Sequence, residues 1–251
     1  MRLGALLGPV SDAGNPHLLA DQAKMFAAEG YTSLWSAQAI GRGFLITDPF
    51  IALAAAAAVT DGLELGTAVL QVPLYHPMDL AHRIYSLQQV CGNRFIFGVG
   101  AGSTEQDFNA YDRNYTNRFK DFNTSLQHLR EIFATGGLGD SQLNPWPQVQ
   151  GGPPLFYGTW GKGVARAATE FDGWIASGHY RTTEEVCASL DAYRAAGGQR
   201  AIVSTLQVGA DTDMGEFAAK LQRFAEAGFD DAVVMLLPGG PSAADVRALL
   251  S

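Results

Sequence analysis

A chain of 251 residues, 47% hydrophobic and only 17% charged, has the material for one large core and for surface covered by something other than water. Its net charge is −8 and its Lys and Arg residues form no cluster, which excludes nucleic acid and anionic membrane as partners. The longest apolar helix in the pattern, Pro49 to Thr60, is too short to span a bilayer, and the apolar run after Met1 is too short for a signal peptide, so a cytoplasmic protein is expected.

Arg2 to Leu7 reads as a first strand that breaks at Gly8-Pro9. Asn15-Pro16 is an N-cap followed by proline at the first helical position; Leu19, Ala23, Phe26 and Ala27 then recur at helical spacing up to Gly30. Thr32 to Ala37 is the second strand. Asp48-Pro49 repeats the cap-plus-proline signal before the alanine-rich helix Phe50 to Thr60. Leu63 to Val72 is the third strand, and His76-Pro77 opens a helix carrying Leu80, Ala81, Ile84, Leu87 and Val90. The fourth strand, from Arg94 into Phe95-Ile-Phe97, is apolar without alternation, as in a parallel sheet buried on both faces. It runs into Gly98, Gly100 and Gly102, where missing side chains let something approach the backbone. Ser103 and Gln106 stand at capping-box spacing for a short helix.

A long helix follows, with Phe119, Phe122, Leu126, Leu129 and Phe133 on one face, and then the irregular segment Gly136 to Pro154. Pro154 to Tyr157 is the fifth strand and Gly161 to Phe171 its helix. Gly173 to Ser177 is the sixth strand, followed by a helix with a Thr182–Glu185 capping box. Ala201 to Val208, a helix capped by Asp213, Ala232 to Leu237 and a last short helix from Ser242 to Leu250 complete the pattern. Cys91 and Cys187 fall on helices, far apart and without metal-ligand spacing, so buried thiols and no metal are expected.

Strict alternation of eight strands and helices implies one parallel sheet closed into a single (β/α)8 barrel, with residues 1–251 as one domain. Its active site would lie at the C-terminal ends of the strands. There, Phe156-Tyr-Gly-Thr-Trp-Gly-Lys-Gly163 joins a strand, a glycine-rich turn and a helix start. Free backbone N–H groups and the helix dipole favour an anion at such a place, and Lys162 adds a charge; a plain capping turn would have the same pattern. His179, Tyr180 and Arg181 follow the sixth strand, where a substrate or phosphate contact and a solvated loop both fit. Trp35, Phe44, Phe108 and Tyr111 either line an apolar pocket or pack the core. His76 reads as a helix-start contact and His82 as structural.

Taken in order and spacing, several blocks resemble the bacterial luciferase-like flavin-dependent oxidoreductases over most of the chain. They are Gly30-Tyr-Thr-Ser-Leu-Trp35, Asp48-Pro-Phe50, Leu65-Gly-Thr-Ala-Val69, His76-Pro77, Asn93-Arg-Phe-Ile-Phe-Gly-Val-Gly100, the turn Gly158 to Gly163, and Phe171-Asp-Gly-Trp174. The resemblance implies FMN or coenzyme F-420 over the barrel mouth. Its phosphate would sit at Gly161, Lys162 and Gly163, its ring near Ala68, Gln71, Gly98 and Gly100, and Gly158 and Trp160 would also contact the cofactor. A non-proline cis peptide is implied near Leu70-Gln71. Substrate would meet Trp35, Gln38, Phe44, His179 and Tyr180. Relatives commonly carry an acidic residue and a histidine after the strand-two tryptophan; here the sequence is Trp35-Ser-Ala-Gln38-Ala39, so no catalytic residue is assigned.

The implied activity is redox chemistry on a small organic substrate: oxygen-dependent with reduced FMN (a monooxygenase), or hydride transfer with reduced F-420. A separate flavin reductase is a candidate partner in the first case. The alternative is a flavin- or ligand-binding barrel that has lost catalysis. The helices Phe50 to Thr60 and His76 to Val90 carry apolar or small residues on more than one face, which points to a homodimer.

Overall fold

The eight expected strands form and close on themselves. A computed structural model describes residues 1–8 and 14–250; Pro9, expected to end the first strand, lies outside them. The barrel strands are β1 Arg2–Leu6, β2 Ser33–Ser36, β3 Glu64–Thr67 with its continuation Leu70–Gln71, β4 Phe95–Gly100, β5 Leu155–Gly158, β6 Gly173–Ser177, β7 Arg200–Val208 and β8 Asp231–Leu236. Each pairs in parallel with the next, and β8 pairs with β1 from Arg2↔Asp231 onwards, which leaves no open edge in the sheet.

Around the barrel run α1 Leu18–Ala28, α2 Pro49–Ala57, α3 Pro77–Cys91, α4 Glu105–Asn109, α5 Arg118–Thr135, α6 Gly163–Glu170, α7 Thr183–Ala195, α8 Met214–Ala227 and α9 Ala243–Ala248. Most start where a local signal says they should. The Asp48 carboxylate accepts from the Phe50 and Ile51 N–H groups, and Thr182 and Glu185 form the expected box. Two starts differ. The Asn15 side chain accepts from the His17 N–H and not from the helix, so α1 begins at Leu18. Ser103 does not cap α4, which follows Thr104 without any side-chain cap; the Ser103 carbonyl instead accepts from the Tyr115 hydroxyl. The irregular segment contains a small hairpin, Gly137–Leu138 with Ser141–Gln142. Phe119, assigned to the buried face of α5, is 55% exposed. It lies under the Arg118 guanidinium instead.

The space inside the barrel is filled by one side chain from each strand, except that Ala68, just past Thr67, serves for β3: Leu6, Trp35, Ala68, Ile96, Phe156, Ile175, Ile202 and Val233. Trp35 has no exposure, and its Nε1–H donates to the Ser33 hydroxyl at 2.8 Å. A Cβ on Gly66 would collide with the Trp35 ring. The indole therefore occupies the barrel and not the mouth, which removes Trp35 from the wall of any substrate pocket. Both cysteines are buried on helices, as expected, and burial pushes both thiols up in pKa. Among the described residues no helix is long and apolar enough to cross a membrane.

The N-terminal end of the barrel is sealed by charge. Asp231 is fully buried and accepts from Arg2 Nη2 at 3.0 Å and Arg200 Nε at 2.8 Å. Arg200 also holds Glu64 with two bonds, at 2.9 and 2.6 Å. The four residues stand at the starts of β1, β3, β7 and β8, so the network ties together strands distant in sequence. Arg200→Met would leave Asp231 buried with half of its partners. The expected loss is about 3 kcal/mol, because a buried carboxylate keeps its desolvation penalty when a cation is removed. Thermal unfolding should fall by about 6–12 °C for a chain of this size.

Candidate active site

The mouth is built first by an irregularity in β3. The chain leaves the ladder after Thr67, passes a cis peptide between Ala68 and Val69, and rejoins as Leu70–Gln71 opposite Val99 and Gly100. The cis bond lies two residues before the expected position at Leu70-Gln71. Val69 turns its side chain onto the tops of β4 and β5: a Cβ on Gly100 would lie 2.8 Å, and one on Gly158 2.5 Å, from its methyl groups. These two glycines make room for Val69, and Val69 becomes an apolar ledge. Gly98 lies deeper. A Cβ there would strike the Thr67 carbonyl and Ile175, so barrel packing demands that glycine, not a ligand at the mouth.

Beside the ledge, β5 runs into the turn ahead of α6. Gly161 sits at φ +58° with open space where a Cβ would be. Gly163 is required for a different reason. A Cβ there would collide with Thr159, and its N–H donates to the Trp160 carbonyl at 3.2 Å. The N–H groups of Gly161 and Lys162 make no backbone hydrogen bond among the described residues. One arginine stands against this turn, and a second opens the helix packed on β5. Arg181 stacks on Trp160, 4.7 Å from the ring centroid. Arg118 opens α5, one helical turn nearer the mouth than Phe122, which stacks on Tyr157 of β5 at 5.1 Å. The Arg118 Nε is buried without a hydrogen-bond partner. The rest of the guanidinium is held: Nη1 donates to the Tyr115 carbonyl at 3.1 Å and Cζ lies 3.9 Å from the Tyr115 ring centroid.

On the other side of the mouth, over β1, β2, β7 and β8, lies a cavity of about 250 Å³. Gln38, Phe44, His179 and Tyr180 line it together with Leu6, Leu7, Ala37, Arg42, Thr205, Gln207 and Met235. Four of the five expected substrate residues thus converge, without Trp35. Phe44 and Tyr180 form its exposed rim. Phe108 is buried against Tyr115 and Tyr111 lies outside this cavity, so neither lines it. Thr205 stands at φ +61° where the β7 register shifts, a backbone conformation rare for a β-branched residue.

Between the halves runs a buried polar network. Asp107, with no exposure, accepts from Arg42 Nε at 2.8 Å, Arg42 Nη2 at 2.5 Å, Gln71 Nε2 at 2.6 Å and the Ile40 N–H at 3.2 Å. Gln38 accepts from the Gln71 N–H at 2.8 Å and donates to the Tyr75 hydroxyl at 2.7 Å. Both ends of the Gln38 amide are therefore engaged in holding the third-strand irregularity. Gln71 Oε1 is buried and unpartnered. His76 caps α3 through Nδ1, as its position before Pro77 indicated.

The luciferase-like monooxygenase family model matches residues 2–237. The chain belongs to that family. A 4-hydroxyprotoasukamycin monooxygenase from Streptomyces nodosus subsp. asukaensis is 36% identical over 110 residues, which cover 41% of this chain and 30% of that protein. The stretches matched in curated relatives span 20–50% of their lengths. Two solved structures share the fold. One is the oxygenating constituent of 3,6-diketocamphane monooxygenase from Pseudomonas putida, in complex with FMN; its TM-score is 0.68 at 18% identity, covering 91% of this chain and 71% of that one. The other is the coenzyme F420 dependent tetrahydromethanopterin reductase from Methanopyrus kandleri, with a TM-score of 0.75 at 14% identity, covering 99% and 96%.

Arg42, Asp107, Arg118 and Thr205 are site residues that sequence reasoning missed. Arg118 had a signal: it stands four residues before Phe122, on the inward face of α5. Burial alone would raise the Asp107 pKa, but the hydrogen bonds from Arg42, Gln71 and the Ile40 N–H outweigh it and hold the carboxyl below the usual range. A depressed carboxyl stabilises the fold above its unfolded pKa, about 3.9, and loses that contribution as pH falls through the lower folded value. The stability gap between the native chain and Asp107→Asn, measured by urea titration, should be flat from about pH 5 to 8 and shrink only below about pH 4.

Proposed function

We propose that this family member is an oxidoreductase that binds a phosphate-bearing flavin or deazaflavin across the β3–β5 half of the mouth and a small, uncharged, largely apolar substrate in the cavity beside it. The observation that carries the reading is the division of the mouth into an anion-accepting turn with an apolar ledge and a cavity whose lining contains no carboxylate. The residues fit such a cofactor. The Gly161 and Lys162 N–H groups, with Arg118 and Arg181, would hold the phosphate. Val69, seated in the room left by Gly100 and Gly158, would support the ring with Gln71 beside it; Trp160 shapes the approach to the turn. Bound and reduced, FMN would supply oxygen activation, and a deazaflavin a hydride. The protein's share is to orient the ring on Val69 and to keep water from the reacting faces.

Gln38 takes no part in proton transfer in this reading, since its amide does not titrate and both its ends are engaged. Among the cavity residues, the His179 imidazole and the Tyr180 phenol are the groups that could exchange a proton with substrate. An FMN-dependent reaction would draw on a separate flavin reductase. A homodimer belongs to the same proposal: Ile51 on α2 and Val90 on α3 are 64% and 52% exposed.

Titration of purified protein with oxidised FMN and with oxidised F-420 tests the reading, and binding of neither overturns it. The absence of a carboxylate from the cavity favours a second reading, a binding barrel without turnover. Oxidation of the bound reduced cofactor that depends on added substrate would exclude that alternative. Within the proposal, Gly161→Asp should weaken cofactor binding at least about tenfold, because it sets a like charge where the phosphate approaches. Lys162→Ala should cost less than about fivefold, since an exposed, screened charge contributes little. Both variants should unfold near the native midpoint. Aspartate tolerates the left-handed backbone of residue 161, and the turn lies outside the core.

A further inference from the structure

We infer that Asp107 is a positioning residue on which both halves of the site are built, so that cofactor ledge and substrate wall depend on one buried carboxylate. The inference rests on the proposed division of the mouth. Asp107 lies on α4, beyond the end of β4, and neither lines the cavity nor meets the surface. Its four hydrogen bonds go two ways. Gln71 Nε2 comes from the rejoined end of β3, the segment that carries the ledge. The Ile40 N–H and the Arg42 guanidinium come from the loop after β2, where Arg42 lines the cavity and Phe44 forms its rim.

The chemistry of the partners makes the arrangement one-sided. Every group facing Asp107 is a donor, and only an ionised carboxylate offers enough acceptor positions for four of them. An asparagine of the same shape would set an NH2 against the Arg42 guanidinium in either orientation and, in place of Oδ2, against Gln71 Nε2 as well; its neutral oxygen would hold the remaining donors less strongly on both sides. The Arg42–Asp107 pair is bidentate and buried on the carboxylate side, so it fixes the orientation of the β2 loop as well as its proximity. Gln38 joins the same two regions once more, which restricts the ledge to one height above the barrel.

The test compares three variants for FMN and F-420 binding, for the visible absorption band of the bound ring, and for amide hydrogen exchange in residues 39–47 without cofactor. Gln71→Leu cuts only the ledge: affinity should fall about tenfold and the bound-ring band move towards that of free cofactor, with exchange in 39–47 unchanged. Arg42→Met cuts only the wall: exchange in 39–47 should rise at least about tenfold, with the ring band kept. Asp107→Asn should do both. Native affinity, band and exchange in Asp107→Asn would overturn the inference, and so would loss of both properties in each single-sided variant. If Asp107→Asn does not fold, the contrast between the other two decides. If the native chain binds neither cofactor, the proposed function fails and the inference falls with it, whereas cofactor binding with uniform behaviour across the variants defeats the inference alone.

Discussion

A closed barrel of eight parallel strands encloses a fixed volume, and everything at its mouth depends on how that volume is filled. Trp35 is the largest side chain inside, and it fits because Gly4 and Gly66 present no Cβ to its ring. Phe156 fits against Gly173 in the same way. Higher up, Val69 occupies the places left by Gly100 and Gly158. Glycines thus make room for Trp35, Phe156 and Val69, so the floor under the mouth is closely filled before any loop is considered. The glycines of β4 and β5 that look like places for a ligand are, at this level, places for the protein itself.

The two ends of the barrel use the same chemistry for different purposes. At the N-terminal end, Arg2, Glu64, Arg200 and Asp231 pair with one another and close the core. At the C-terminal end, Arg42 and Asp107 bind loops to each other, while Arg118 Nε and Gln71 Oε1 remain buried and unanswered.

Much of the fold is legible in the sequence because its signals are local. Asp48, Thr182 and Asp213 cap the helices that follow within three residues, and the bounds of β6, Gly173 to Ser177, match the sequence pattern at both ends. Trp35 is misleading because a strand covered on both faces loses the alternation that tells inside from outside. The convergence of Gln38, Phe44, His179 and Tyr180 follows from barrel order alone, since strand ends meet at one rim. Asp107 is not legible: Arg42 and Gln71 are 65 and 36 residues away, and no spacing rule links a carboxylate to partners at such distances. Thr205 is equally hidden, because a left-handed backbone is expected at glycine and not at threonine.

The pairing of Arg2 with Asp231 also constrains the history of the chain. β1 leaves the ribosome long before β8, yet it lies between β2 and β8, and the charge seal at the base needs residues from both strands. Until β8 emerges, β1 keeps an unpaired edge of hydrogen-bonding groups, and the apolar interior stands open along one seam. Closure is therefore a late, non-local event, with its loop entropy met before its contacts form. For as long as the seam is open the nascent chain is an incomplete sheet, the state in which such a protein has most need of a chaperone.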